Sequence, residues 1–128
     1  MTATNDFRER LPTDRAGINH KFSINGHECY LTANMYPDGR LGELFIVMGM
    51  EGSTASGLMD TIGILVSLAL QHHVPLSTLV SKFKGAKFEP YEQGKASSLV
   101  DYIFTWLERE FPGGVHRSVF QEAEDSGV

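Results

Sequence analysis

The chain has 128 residues, enough for one domain with a single core, and its 41% apolar and 21% charged composition is that of a folded globular protein rather than a disordered one. Sixteen acidic against 11 basic residues leave a formal charge of −5, which disfavours general attraction to nucleic acid or to an anionic membrane surface. The single cysteine, Cys29, excludes an internal disulfide, a dithiol redox pair and a thiolate-rich zinc site.

Residues 1–17 carry Arg8, Arg10, Arg15 and Pro12 without steady periodicity and read as an irregular basic arm whose end packs on the domain. From Ile18 the period is two: Ile18, His20, Phe22 and Ile24 share one face of a half-buried strand. Asn25-Gly26 is a strong hairpin signal, because both central residues of a type I′ turn need positive φ. The next strand puts Cys29, Leu31, Ala33 and Met35 on one face, and Tyr36-Pro37-Asp38-Gly39 turns the chain again. A third strand over residues 43–48 completes a meander. It is apolar on both faces, Leu44, Ile46 and Met48 alternating with Phe45 and Val47, so it is either covered twice or meets another subunit.

A helix follows, capped by Ser53, Thr54 or Ser56 and carrying Leu58, Met59, Ile62, Leu65, Val66, Ala69 and Leu70, which predicts the central helix of the domain. It ends at His72-His73-Val74-Pro75. Leu76, Leu79, Val80 and Phe83 give a short amphipathic helix, and Leu99, Val100, Ile103, Phe104, Leu107 and Phe111 a third. Pro112-Gly113-Gly114 stops that helix, and residues 112–128 read as an acidic flexible tail. The expected fold is α+β, a three-stranded antiparallel meander packed against about three helices, over residues 18–111.

The helix start, with Gly52, Ser53, Thr54, Ser56 and Gly57, suits an anion such as a nucleotide phosphate, since free N–H groups and the positive end of the helix dipole point outward there. It lacks the lysine of a nucleotide-triphosphatase loop, and ordinary capping explains its hydroxyls first. Arg10 and Arg15 have the guanidinium geometry to read phosphates, with ion pairs to Glu9, Asp14 or Glu43 as the plainer alternative. His27, beside Glu28 just after a turn, is a further candidate ligand-binding residue if a partner supplies more ligands, with a solvated turn histidine as the plainer alternative. None of the five histidines is spaced i, i+4 with another, so no metal site and no cofactor is expected. Cys29 on the strand's apolar face reads as a buried thiol, and no acid, base and nucleophile set emerges, so no catalytic residue is assigned. The first residues lack the apolar core of a secretory signal, and residues 61–70 fall short of the ~20 residues of a membrane span, so a cytoplasmic protein without membrane contact is expected.

Several stretches carry a resemblance. Arg10-Leu11-Pro12, Gly26-His27-Glu28, Tyr36-Pro37-Asp38-Gly39, Glu51-Gly52-Ser53-Thr54, Ser56-Gly57-Leu58-Met59-Asp60, Ser67-Leu68-Ala69-Leu70-Gln71, Val74-Pro75-Leu76 and Phe88-Glu89-Pro90 stand in order along the chain. Together they resemble the C-terminal accessory (TSCPD) module of vitamin B12-dependent, class II ribonucleotide reductases. The resemblance implies a place in nucleotide metabolism. The catalytic barrel, the cobalamin site and the regenerating cysteine pair of those reductases have no counterpart in this sequence, and one thiol cannot act as a two-electron dithiol. The expectation is therefore a non-catalytic relative that binds a nucleotide-like ligand or a protein partner. Two alternatives stand beside it: a structural subunit docking on a ribonucleotide reductase, or a nucleic-acid-binding protein using the basic arm. The two-sided third strand adds the expectation of a homo-oligomer.

Overall fold

A computed structural model describes residues 7–49 and 52–126. Residues 1–6 of the expected arm, Glu51 of the helix-start run and residues 127–128 of the expected tail lie outside the described residues.

Strands β1 (Ala16–Ile24), β2 (His27–Met35) and β3 (Leu41–Met48) form an antiparallel sheet in the order β1-β2-β3. The β1–β2 hairpin keeps an unbroken register from Ala16↔Met35 to Ile24↔His27, closed by Asn25 at φ 48° and Gly26 at φ 85°. In β2–β3 the register slips after Asn34↔Glu43, and Met35 pairs with Leu41. Gly42 is the extra residue of this bulge. A Cβ there would lie 2.7 Å from the Tyr36 ring, so glycine lets Tyr36 close over the strand.

The inner face of the sheet buries Phe22, Ile24, Cys29, Leu31, Ala33, Leu44, Ile46 and Met48. Helix α3 (Leu99–Glu110) packs on it with Ile103, Phe104, Trp106 and Leu107, while Tyr102 stacks on Phe22 at 4.0 Å and Trp106 on His20 at 5.0 Å. Ser98 caps α3 by accepting from Asp101 N–H and donates to the Ala86 carbonyl at 2.6 Å. The Asp101 carboxylate accepts from Gly85 and Ser97 N–H, so two residues tie the preceding loop to the helix start. Helix α2 (Leu76–Phe83) packs beside α3 through Leu76 and Val80.

Helix α1 (Thr54–Gln71) overturns the expectation of a central helix: it lies along the open edge of β3 and buries only Met59, Gly63, Val66, Leu70 and Gln71. An edge strand leaves backbone groups unpaired, and α1 supplies the partner. Ser67 Oγ accepts from Leu44 N–H at 2.9 Å and donates to the Gly63 carbonyl at 2.8 Å. Gly63 makes the approach possible, since a Cβ there would meet the Leu44 carbonyl oxygen at 2.9 Å. By length and composition α1 is apolar enough to cross a membrane, although Thr54–Gln71 packs against the sheet edge through these contacts.

Beyond α3 the chain departs from the expected tail. Pro112–Gly114 forms a 3-10 turn and Arg117–Ser126 a fourth helix, α4. His116 N–H bonds the Gly39 carbonyl at 2.9 Å, and Arg40 bridges to Val115, so the β2–β3 turn anchors this segment. At the entrance to α4, Ser118 N–H lies 3.2 Å from His116 Nδ1.

Candidate functional site

A cleft lies at each end of the sheet. At one, the 25–26 turn, His27 and the loop of residues 86–98 surround an open cleft of about 560 Å³ lined by Asn25, His27, Glu89, Pro90, Tyr91, Glu92 and Gln93. Asn25 N–H donates to Glu92 Oε1 at 2.8 Å, and Lys95 Nζ donates to the Ser23 carbonyl at 2.6 Å. Phe88 and Tyr91 are half exposed, so these aromatics are displayed and do not pin the loop to the core. His27 thus shares its cleft with Glu89 and Glu92, whose negative charge opposes a phosphate.

The opposite end holds a cleft of about 270 Å³ whose lining includes Tyr36, Arg40, His73, Pro75 and Gly113. Arg40 dominates it. Its Nη1 and Nη2 grip both oxygens of Glu9 at 2.9 and 2.7 Å, its Nε donates to Asp38 at 2.7 Å, and its guanidinium lies 4.5 Å over the Tyr36 ring. The hydrogen-bonded Arg40 holds the Glu9 carboxyl below its usual range, and the Arg40 N–H and side chain do the same for Asp38. These two partners in turn push Arg40 upward. Glu9 N–H also bonds the Gln71 carbonyl at 2.7 Å, and Arg8 Nε bonds Gln71 Oε1 at 2.8 Å, so the arm docks on the C-terminal end of α1.

The predicted anion site is dispersed by this arrangement. At the N-terminus of α1, Gly52 has φ 78°, Ser53 Oγ accepts from Ser56 N–H at 3.0 Å, and the Ser53 carbonyl accepts from Gly57 N–H at 3.1 Å, the capping pattern expected of those hydroxyls. Thr54 and Gly57 are exposed beside them. Arg10 sits in the arm segment docked at the other end of an 18-residue helix, roughly 27 Å away at 1.5 Å per residue. Arg15 pairs with Glu43 at 2.9 Å, also toward that far end, and Glu43 further accepts from Asn34 at 2.8 Å. His27 lies at the same end of the sheet as the helix start, where Gly49 N–H bonds the Glu28 carbonyl.

Two features escaped the sequence reading. Arg40, Glu9 and Asp38 come together only when the arm docks, although Asp38 and Arg40 flank a recognisable turn. Glu110, nearly buried at the end of α3, receives Arg117 at 3.2 Å and faces His116 Nε2 at 3.4 Å. Burial pushes Glu110 up, but Arg117 and His116 outweigh it and hold the carboxyl low. Cys29 is fully buried, and that burial pushes its thiol up to about 11, which keeps it protonated at neutral pH. Among the described residues, no three His, Cys, Asp or Glu side chains converge as a metal site.

Comparison with known proteins places these features. The TSCPD domain family model matches residues 4–111. The chain is 50% identical over 113 residues to the vitamin B12-dependent ribonucleotide reductase of Rhodopirellula baltica, an alignment covering 84% of this chain and 11% of that protein. It is 48% identical over 110 residues to the reductase of the same name from Streptantibioticus cattleyicolor, covering 81% of the chain and 18% of the relative. The Agrobacterium fabrum reductase is 40% identical over 113 residues, 9% of its length. The chain therefore spans only a small part of the relatives it matches, and no solved structure matches it. On the family match and these identities, the chain belongs to the TSCPD domain family.

Proposed function

We propose that the chain is a non-catalytic accessory module that serves ribonucleotide reduction by holding a protein partner, the catalytic body of a B12-dependent ribonucleotide reductase. The observation that carries this reading is the match itself: 48–50% identity over 81–84% of the chain, to a segment making up 11–18% of the two reductases. Surface chemistry supports it. Arg8, Arg15 and Arg40 are engaged by Gln71, Glu43, Glu9 and Asp38, and the cleft beside His27 is lined by the carboxylates Glu89 and Glu92, an arrangement that favours a protein partner over a nucleotide phosphate there. Cobalamin, named in the relatives, is assigned to no residue here. The larger cleft offers one imidazole between carboxylates on an open loop, a poor match for a large corrin.

The test is sedimentation of the purified chain with a B12-dependent reductase from which this module has been deleted. Co-sedimentation with a low-micromolar dissociation constant supports the reading. Independent migration at ~100 μM, or saturable calorimetric binding of a nucleoside triphosphate with no affinity for the reductase, contradicts it.

A further inference from the structure

The loop of residues 84–98, between α2 and α3, is long for a connection without a regular element in so small a domain, and it is held in place by its own bonds. Phe88 N–H bonds the Ser97 carbonyl at 3.2 Å, Glu92 and Ala96 exchange backbone bonds at 3.0 Å, and Ser98 and Asp101 fix the two ends. That frame turns two aromatic rings outward, Phe88 being 47% and Tyr91 57% exposed. Both rings line a hollow of about 320 Å³ together with Lys87, Glu89 and Ser97. The hollow shares Glu89 and Tyr91 with the 560 Å³ cleft beside His27, so the two form one groove.

The geometry points to one occupant of this groove, an arginine-bearing segment of the reductase body, an assignment that rests on the accessory function proposed above. Charge selects it. Glu89 and Glu92 line the cleft, and no lysine or arginine does. Glu89 has no hydrogen-bond or ion-pair partner among the described residues, and Glu92 spends one oxygen, Oε1, on Asn25 N–H at 2.8 Å. The neighbouring Lys95 is committed elsewhere: its Nζ donates to the Ser23 carbonyl at 2.6 Å and lies 5.9 Å from the centre of the Tyr102 ring. Lys87 lines the hollow alone. An open cleft with carboxylate oxygens to spare and no cation of its own is complementary to a positive side chain. The exposed Tyr91 ring narrows the choice. A guanidinium stacks flat on an aromatic face and still offers its edge N–H groups to carboxylates, whereas an ammonium is a compact, strongly hydrated charge. The hollow at Phe88 takes an apolar neighbour of that arginine, which gives the groove an aromatic anchor beside a polar rim. Because the loop is already fixed by its own bonds, docking orders little new chain.

The experiment titrates the full chain, wild type and variants, against the module-deleted reductase by sedimentation velocity, and then footprints the complex with phenylglyoxal, which labels accessible arginines. Glu89→Lys weakens the complex ~30-fold or more and Tyr91→Ala about tenfold, with unchanged far-ultraviolet circular dichroism because both side chains are exposed. Glu89→Gln gives an intermediate loss, and Asp60→Lys, an exposed charge on α1, gives none. The wild-type chain shields at least one arginine of the reductase from phenylglyoxal. A complex that Glu89→Lys and Tyr91→Ala leave as tight as the wild type, or one that shields no arginine, overturns this site and leaves the accessory function standing. An equal loss from Asp60→Lys marks a general charge effect and overturns the site as well. No complex with the wild-type chain at ~100 μM overturns both.

Discussion

The seating of α1 on the β3 edge makes two glycines of the same helix respond in opposite directions to one substitution. At Gly57 an added Cβ meets nothing within 4 Å, so Gly57→Ala gains helix propensity alone, about 0.5–1 kcal/mol. At Gly63 the same methyl stands 2.9 Å from the Leu44 carbonyl oxygen and 3.5 Å from the Ile46 nitrogen. Backbone cannot rotate away as a side-chain end can, so α1 must lift by several tenths of an ångström and stretch the 2.9 Å bond between Leu44 N–H and Ser67 Oγ. Overpacking of this kind costs about 1–3 kcal/mol and a weakened hydrogen bond about 0.5–1, against a propensity gain of about 1. Gly63→Ala is therefore expected to lose about 1–2 kcal/mol, and the two variants to differ by about 2–3. For a domain of this size that is a gap of about 10 °C in melting temperature. Thermal melts and urea midpoints at one fixed protein concentration measure it. If Gly63→Ala melts as high as Gly57→Ala, the helix does not pack against the strand backbone, and the edge-covering role of α1 is wrong.

Three further outcomes follow from the core and the arm. Burial, and then the nearby Arg109 charge, lower the His20 pKa below its ordinary 6.5. The unfolded chain thus takes the proton first, and stability is full above 6.5 and falls as pH drops through that value. The urea midpoint should decline between pH 7.5 and 5.5, and His20→Phe should flatten the decline; an equal slope in the variant excludes His20 as its source. Glu9→Gln breaks the paired grip on Arg40, and a loss of about 1 kcal/mol in arm docking makes tryptic cleavage after Arg8 or Arg10 about fivefold faster, read by mass spectrometry. Ser98→Ala removes both the α3 cap and a buried bond to Ala86, for a loss of about 1–2 kcal/mol in chemical denaturation; a change within 0.5 kcal/mol would show that the cap is dispensable.

The sheet was legible because its signals are local. Alternation in β1 and β2 marks the buried face, and Asn25-Gly26 supplies the two positive φ angles the turn adopts. The β3 start was read two residues late because the Gly42 bulge breaks the alternation between Leu41 and Glu43. Helix α1 reads as central from composition alone, since Leu58, Ile64 and Leu65 are as apolar as Met59 and Val66; only Gly63 and Ser67, a small and a hydroxyl residue facing backbone, betray an edge position. Helix α4 was missed because its anchors, His116 to Gly39 and Arg117 to Glu110, are tertiary contacts. The same limit governs the site. A glycine- and hydroxyl-rich helix start and a set of arginines are both visible in sequence, but no sequence pattern reports that an 18-residue helix separates Arg10 from them.

Recognition of a reductase by this domain is measured most directly as turnover of a B12-dependent ribonucleotide reductase lacking the module, assayed with increasing amounts of the purified chain. Turnover is expected to change and to saturate near one chain per reductase, with no product formed by the chain alone. Turnover unchanged at a large excess of chain, or product from the chain without reductase, would contradict it.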